Sequence, residues 1–370
     1  MRKLVTIRTI DDIQPIEGAD AIEVATIGGW KVVVKKGEYS IGEYVFYFEI
    51  DSVLPKGNPA FEFLMARSCK IQPTDDGGTL EGHRLRTIKL RGQISQGLIL
   101  PLVACGAYTL DVEDNTFSVD FGEFSVAYSM DEDFSVVFGV KKYEPKMSAQ
   151  LAGMVAGNFP SWFPKTDLER VQNMRMSDLV GQRYVMEEKV EGSSMSIFYD
   201  GETYGVASRR LSLKMDQEGN TFVNVAKRPG YEDFLKTLYE TFQVPVAIQG
   251  ELVGPGIQGN IYGLRDFEFF LFDIWVGDRY LNVVEKATIL LDISAKLLME
   301  NRALSMKLVP LAGGINIEGD MTVDDIVQMA DGYSELEGRT VETLREGLVF
   351  RSVDGSTRFK AISNEYLLKH

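Results

Sequence analysis

The sequence predicts a mixed α+β fold, in which an N-terminal OB-like β-barrel precedes an antiparallel-sheet domain with flanking helices. The first observation is length, because 370 residues exceed the usual size of one domain. The second is the run of β-branched and aromatic residues at 21–50, which Gly-containing turns divide into short strands. The third is that residues 151–370 mix strand patterns with helical spacing. Two domains of different type are therefore expected.

Residues 1–103 are predicted to form the barrel. Roughly five short strands, with a loop at 55–80, fit a small barrel such as an OB-fold, and an unspecified β-sandwich is the alternative. Residues 104–150 are predicted to be an acidic connector that contains one hairpin. Residues 151–370 form the second domain. Its helical spacing predicts helices at 165–174, 233–242, 282–298 and 323–336.

Composition limits the classes of protein that fit. The net charge of −15 argues against a general nucleic-acid coat protein, although basic residues gather at 83–92 and 208–214. Two histidines and two cysteines, Cys69 and Cys105, are too few for a histidine-based metal site, a Ser-His-Asp triad or a disulfide framework. The sequence has no long apolar run and no signal-peptide pattern. We expect a monomer in the cytoplasm, or in the host cytoplasm if the source is viral, without a membrane partner.

The stretch EEKVEGSSMSIFYDG, residues 187–201, places Lys189 on a strand before a Gly192-Ser-Ser turn. A lysine with a pKa of about 10.4 is almost fully protonated at neutral pH, so a nucleophilic lysine needs nearby positive charge or desolvation. Glu191 points to the same side of the strand and can hold a metal ion beside the amine. The alternative is a structural Lys–Glu pair before a hairpin, and KVEG alone does not decide between the two.

Further charged and aromatic residues follow Lys189 in a distinctive order. They are Arg209 in SRRL, Glu251 before a Gly-Pro-Gly turn, Phe272 in an aromatic strand, Glu346 in EGLVF and Lys360 in RFKAI. Each alone has an ordinary interpretation as part of a core strand, a turn or a charged surface. Together they favour a nucleotide site, because glycines allow close approach, aromatic rings stack on bases, and charged side chains serve metal ions and phosphates.

This order of motifs resembles the covalent nucleotidyltransferase superfamily of ATP-dependent ligases and mRNA capping enzymes. The matching motifs are KVEG, SRR, GELVGPG, FLFDIW, EGLVF and RFKAI, across residues 189–362. DNA ligases and capping enzymes usually continue into a C-terminal OB-fold, whereas here the candidate OB-fold comes first. The chain is therefore most similar to RNA ligases with an N-terminal OB module and a C-terminal adenylyltransferase domain. FPKTDLERVQN at 163–173 and ISNEYLLK after RFKAI also resemble those enzymes.

The resemblance implies an ATP-dependent RNA ligase for RNA repair, which joins 3′-hydroxyl and 5′-phosphate ends through lysyl-AMP and an AMP-capped RNA 5′ end. It implies ATP and Mg²⁺ or Mn²⁺ as cofactors, and RNA with such ends, including a nicked duplex, as the partner. The implied catalytic residues are Lys189, Glu251, Glu346 and Lys360. The implied nucleotide-binding residues are Val190, Arg209, Phe272, Val349, Arg358 and Arg170. The implied metal-binding residues are Glu191, Glu251 and Glu346. The N-terminal module is expected to hold pyrophosphate or to contact RNA.

Two positions depart from the usual motifs. Glu191 stands where DNA ligases have aspartate, and its extra methylene can shift a water-mediated metal contact. Arg358 replaces the first lysine of Lys-x-Lys and presents a planar fork to phosphate. Three alternatives stay open at this point: an ATP-dependent DNA ligase, a capping guanylyltransferase, and a nucleic-acid-binding barrel joined to an inactive domain.

Overall fold

The computed structural model of the protein describes residues 2–144, 154–302, 304 and 306–369. The chain divides into two compact units, Met1–Met147 and Ser148–His370. Among the described helices, none combines the length and the apolar character needed to cross a bilayer.

The first unit is built mainly of short strands. Within residues 2–144 the strands are β1 (Val5–Thr9), β2 (Asp12–Pro15), β3 (Ile22–Ile27), β4 (Trp30–Lys35), β5 (Tyr44–Phe48), β6 (Ser52–Pro55), β7 (Lys70–Pro73), β8 (Thr79–Arg84), β9 (Thr87–Leu90), β10 (Gln93–Gln96), β11 (Leu98–Pro101), β12 (Tyr108–Asp111), β13 (Thr116–Asp120), β14 (Ser125–Ser129) and β15 (Lys141–Lys142), and the helices are α1 (Glu62–Ser68) and α2 (Ser135–Phe138). They pair into small sheets with the orders β1-β5-β11, β2-β3-β4, β9-β10, β7-β8-β6-β15 and β12-β13-β14. The predicted loop at 55–80 thus contains α1 and β7.

An aromatic cluster forms the centre of the first unit. Phe46 and Phe48 share one face of β5, because residues two apart on a strand point the same way. Both rings contact Phe138, with centroid distances of 4.8 and 5.0 Å, and Phe117 contacts Phe46 at 5.5 Å. Phe117 and Phe138 lie in the predicted connector, 104–150. The described part of that segment therefore contributes to the core of the first unit.

The second unit combines two antiparallel sheets with helices. Its described strands are β16 (Val155–Asn158), β17 (Arg183–Lys189), β18 (Ser193–Tyr199), β19 (Tyr204–Ser208), β20 (Leu211–Leu213), β21 (Val246–Val253), β22 (Glu268–Val276), β23 (Arg279–Tyr280), β24 (Lys307–Leu308), β25 (Leu311–Asn316), β26 (Gly347–Ser352) and β27 (Arg358–Ile362). Its described helices are α3 (Thr221–Ala226), α4 (Tyr231–Phe242), α5 (Val283–Met299), α6 (Val323–Met329) and α7 (Asn364–Lys369). The mixed α+β class is confirmed.

The larger sheet has the order β16-β20-β19-β18-β21-β22-β23, with β24 beside β22, and the smaller sheet has the order β25-β17-β26-β27. Helices α4 and α5 cover the larger sheet. Leu235 and Leu238 of α4 and Leu297 of α5 are buried in one cluster with Ile248 of β21. This packing follows from the apolar stripe that each helix carries along one side.

Three predicted helices are present, and one prediction is wrong. Helices α4 and α5 confirm the helical spacing at 233–242 and 282–298, and a capping box between Asn282 and Glu285 begins α5. Helix α6 is shorter than the predicted 323–336. It ends where the Arg345 guanidinium donates to the carbonyl oxygens of Met329 and Asp331, both at 2.7 Å.

Residues 165–174 do not form the predicted α-helix. Arg170 is extended and makes a parallel bridge to Lys360 of β27, where the Lys360 N–H donates to the Glu169 carbonyl oxygen at 2.9 Å. Only a short 3₁₀ turn, Val171–Asn173, follows. Tertiary pairing with the smaller sheet therefore overrides the local helical spacing.

Candidate active site

Lys189 is the last residue of β17, directly opposite Gly347, the first residue of β26. Its Nζ donates a hydrogen bond of 2.6 Å to Oε2 of Glu346, the residue that precedes β26. The side chains of Lys189 and Glu346 remain 26% and 19% exposed. The pairing of β17 with β26 thus brings together two motifs that are 157 residues apart, at a position that solvent can reach.

One face of the smaller sheet carries several of the predicted residues. Residues directly opposite on antiparallel strands share a face, as do residues two apart on one strand. Glu187 lies opposite Val349, and Val349 lies opposite Lys360. The face that carries Lys189 therefore also carries Val349, Lys360 and, two residues from Lys360, Arg358.

The larger sheet supplies Glu251 on β21, opposite Ser194 of β18. Ser193 and Ser194 belong to β18. Of the predicted Gly-Ser-Ser turn, only Gly192 therefore lies outside the strand. A Cβ atom at Gly192 would lie 2.5 Å from the Leu252 carbonyl oxygen and 2.8 Å from Glu251 Cγ. The glycine is therefore required by the contact with β21 itself, and any larger residue would displace Glu251.

The carboxylates set the protonation state of Lys189. Burial lowers the pKa of the Lys189 ammonium, but the charges of Glu346, Glu251 and Glu191 outweigh burial and hold that pKa above its ordinary value. Burial raises the pKa of Glu251 to about 8, and the charges of Glu346 and Glu191 add to this effect. Lys189 is thus an ammonium ion beside these carboxyl groups, and it needs added positive charge nearby to become a nucleophile.

Glu191 is held by two tyrosines. Its backbone N–H donates to the Tyr262 hydroxyl oxygen at 2.7 Å, and the Tyr366 hydroxyl donates to Glu191 Oε2. Burial raises the pKa of the Glu191 carboxyl, and the nearby charge of Glu346 raises it further. Tyr366 was not among the predicted residues, because nothing in its local sequence marks it as part of the site.

A buried ion network lies on the same face as Lys189. Arg351 of β26 contacts Glu187 of β17 and Asp273 of β22, both at 2.7 Å. Lys286 of α5 contacts Glu187 at 2.5 Å and Asp273 contacts Arg358 at 3.4 Å. This network links the two sheets and α5. Glu187 and Arg351 were not predicted, although the two-residue spacing from Lys189 and Val349 places them on the site face.

Phe272 and Val190 are fixed by packing. Lys286 Nζ donates to the Phe272 carbonyl oxygen at 2.8 Å. Val190 is buried in a cluster with Val253, Tyr262 and Phe270, against which Phe272 packs. Phe272 lies on the larger sheet and Val349 on the smaller one, so the two predicted contacts to adenine come from different sheets.

The predicted cations are held by different partners. Arg209 follows β19 and makes a bidentate contact with Asp167, at 2.8 and 3.0 Å. The Arg358 guanidinium stacks 3.9 Å from the centroid of the Tyr280 ring. Arg170 is buried, and its backbone pairs with Lys360. The structure thus joins Arg170 and Lys360 directly, while the side chain of Arg209 contacts the segment before Arg170.

The donor chemistry of the site fits Mg²⁺ or Mn²⁺, because both ions favour carboxylate oxygen. Across the part of the chain that the structure describes, no three His, Cys, Asp or Glu residues are close enough to hold one ion together. The geometry therefore does not support direct ligation of one ion by Glu191, Glu251 and Glu346 at the same time. Binding through water and nucleotide oxygens suits Mg²⁺, which dehydrates reluctantly. That Glu191, Glu251 and Glu346 bind the ion through such oxygens stays a prediction.

The chain is similar to proteins of known structure along its whole length. Residues 4–102 match a family of OB-fold domains, and residues 182–362 match the RNA ligase family. A mutant Naegleria gruberi RNA ligase in its apo form is 35% identical with a TM-score of 0.83, and the match covers 100% of this chain and 99% of that chain. Mutants of that ligase with ATP and Mn, and with AMP and Mn, are 35% identical with TM-scores of 0.81 and the same coverage. Among curated proteins, no match is found.

The paired sheets, with a lysine set among carboxylates at their junction, define a nucleotidyltransferase of the ligase class. The chain belongs to the RNA ligase family. The predicted OB-like module, the ligase domain and the RNA ligase activity are confirmed.

Proposed function

We propose that this RNA ligase uses ATP with Mg²⁺ or Mn²⁺ and carries AMP on Lys189 as a covalent intermediate. The observation that carries the proposal is the 2.6 Å contact between Lys189 Nζ and Glu346, with Glu251 and Glu191 acting on the same amine. The Naegleria structures with ATP and Mn and with AMP and Mn support it. When bound, the cation supplies positive charge that offsets the carboxylates and favours the neutral amine.

In the first step, Lys189 Nζ forms a bond to the α-phosphorus of ATP. The bond from that phosphorus to the bridging oxygen breaks, pyrophosphate leaves, and the amine passes its extra proton to water. Lys360 and Arg358, on the same face as Lys189, bind the phosphates, and Arg209 and Arg170 bind the phosphates or the ribose. Phe272 and Val349 enclose the adenine. Because the side chains that act on phosphate are cationic, they stabilise the charge that develops in the transition state.

In the second step, a 5′-phosphate oxygen of RNA bonds to the phosphorus of AMP, the bond from that phosphorus to Lys189 Nζ breaks, and the amine takes up a proton. In the third step, a 3′-hydroxyl attacks the RNA phosphate of the capped end, loses its proton to water and expels AMP. We propose RNA with these two ends, including a nicked duplex, as the substrate. The monomeric state and the cytoplasmic location stay predictions.

We propose further that the first unit contacts RNA phosphates through the β9–β10 hairpin. Arg86, Lys89 and Arg91 are exposed on or beside this hairpin. Residues 82–110 contain no Asp or Glu, although the whole chain has a net charge of −15. A local basic surface of this kind attracts a polyanion even when the whole protein repels it.

Labelling with [α-³²P]ATP tests the first step. Wild-type protein with Mn²⁺ should acquire a covalent label that survives alkali and is released by acid, as expected of a phosphoramidate, and Lys189→Ala should acquire none. Lys236→Ala is the matched control, because Lys236 is an exposed lysine of α4 that pairs with Glu232. Full labelling of Lys189→Ala, or an unlabelled wild-type protein, would show that the proposal is wrong.

A further inference from the structure

We propose that Tyr366 is a positioning residue that fixes the carboxylate of Glu191 for its role beside the cation. The inference rests on the proposed function, because that function gives Glu191 its role. Tyr366 is 6% exposed, and its hydroxyl donates to Glu191 Oε2. The proposed reaction steps use no tyrosine at this position, so the contact needs a separate explanation.

The position of Tyr366 is fixed relative to Glu346. The Ser363 N–H donates to the Glu346 carbonyl oxygen at 2.9 Å, and the Ser363 hydroxyl accepts the Tyr366 N–H at 3.1 Å. The same hydroxyl donates to Asp331 at 2.6 Å. Ser363 therefore anchors the start of α7 beside the residue that holds Lys189. Hydrogen bonds through Ser363 and Tyr366 thus connect the side chain of Glu191 to the backbone of Glu346.

The extra methylene of Glu191 explains why a hydrogen bond from Tyr366 would help to hold its carboxylate in place. A glutamate has one more rotatable bond than the aspartate of DNA ligases, so its carboxylate samples more positions and loses more rotamer freedom when it is fixed. The Tyr262 contact fixes the backbone of Glu191 and leaves its side chain to rotate. The hydroxyl of Tyr366 restricts those rotations at the carboxylate itself. The side chain of an aspartate at 191 is shorter by one methylene, which draws the carboxylate away from this hydroxyl.

Binding of Mn²⁺ provides a readout that is independent of activity. The Lys189→Ala protein with ATP cannot react at Lys189, and electron paramagnetic resonance counts the Mn²⁺ that it binds. Tyr366→Phe in this background should weaken Mn²⁺ binding by roughly ten- to hundredfold, as expected for loss of a hydrogen bond to a charged group. In the wild-type background, the Mn²⁺ concentration for half-maximal labelling should rise by a similar factor, while labelling at saturating Mn²⁺ changes less than about twofold.

A double-mutant cycle separates positioning from a general structural effect. In Lys189→Ala/Glu191→Asp protein, Tyr366→Phe should have no further effect on Mn²⁺ affinity, because the shorter side chain no longer reaches the hydroxyl. Tyr184→Phe is the matched control: Tyr184 is buried in the same unit, and its hydroxyl donates to Gln182 at 3.1 Å. It should leave Mn²⁺ affinity unchanged.

Two results would overturn the inference. The first is an unchanged Mn²⁺ affinity after Tyr366→Phe, with thermal unfolding confirming a folded protein. The second is an equal loss of affinity in the Glu191 and Glu191→Asp backgrounds. A failure of the proposed function looks different, because wild-type protein would then acquire no label from ATP whatever residue stands at 366.

Discussion

Lys189 Nζ lies 2.6 Å from Glu346 Oε2, so the proposed nucleophile is engaged in an ion pair. The pair keeps Lys189 protonated, because the charge of Glu346 raises the pKa of the ammonium. Removal of this proton is therefore the requirement that the proposed function places on the nucleotide and its cation.

Glu346→Gln should make Lys189 react faster with an acetylating reagent but prevent its reaction with ATP. Loss of this carboxylate lowers the pKa of the amine, and each unit of pKa changes the neutral fraction about tenfold. In nucleotide-free protein, acetylation of Lys189 at mildly alkaline pH should therefore become severalfold faster, as measured by mass spectrometry of its peptide. Labelling by ATP should fall to background, because the proposed function assigns Glu346 to the cation that activates Lys189. Glu232→Gln, beside Lys236, is the control and should change neither result.

Glu251→Gln should stabilise the protein at high pH only. Burial raises the pKa of Glu251 to about 8, so the folded chain favours the neutral carboxyl. A folded pKa above the unfolded value of about 4.3 gives stability that is complete below the unfolded pKa and is lost as the pH rises through the folded one. The difference in unfolding free energy between variant and wild type should thus grow from pH ~5 to pH ~9 by on the order of 4 kcal/mol.

Thermal unfolding in metal-free and nucleotide-free buffer measures this difference. Glu342→Gln, at an exposed position of the same unit, gives the baseline. Equal stabilisation by Glu251→Gln at both pH values would contradict the raised pKa of Glu251.

Arg351→Met should be strongly destabilising. The Arg351 side chain is only 6% exposed and separates two buried carboxylates, Glu187 and Asp273. Removal of one partner of a buried ion pair costs about 3–5 kcal/mol, whereas an exposed pair contributes less than about 1 kcal/mol. Urea unfolding should show this contrast against Lys236→Ala, which breaks the exposed pair with Glu232. Similar midpoints for the two variants would show that the network is dispensable.

Replacement of Arg86, Lys89 and Arg91 by alanine should weaken RNA binding without loss of labelling at Lys189. Each lost phosphate contact to a duplex lowers the slope of log affinity against log salt by roughly 0.9. Fluorescence anisotropy with a nicked RNA duplex at several salt concentrations measures the slope. Lys35, Lys36 and Lys70 are exposed lysines of the same unit, and their triple alanine variant controls for net charge. The same slope in both triple variants would remove the β9–β10 hairpin from the RNA contact.

The order of charged motifs was enough to predict the ligase domain, because the residues that touch a nucleotide are restricted in type. Lys189 and Glu346, which the motif order assigned to one site, lie in contact. Tyr366 and Lys286 could not be found in this way, since their partners are 175 and 99 residues away and their own neighbours carry no signal. The wrong helix at 165–174 has a related cause: its spacing is helical, but pairing with β27 depends on contacts that local sequence does not contain.

The division of the site between two sheets has a thermodynamic consequence. The smaller sheet provides Lys189 and Val349, and the larger sheet provides Glu251 and Phe272. A nucleotide that contacts residues of both sheets is also a cross-link between them, and its binding energy adds to the energy that keeps the sheets docked. With the nucleotide bound as proposed, occupancy of the site and rigidity of the second unit are therefore linked, and departure of AMP weakens the docking of the two sheets.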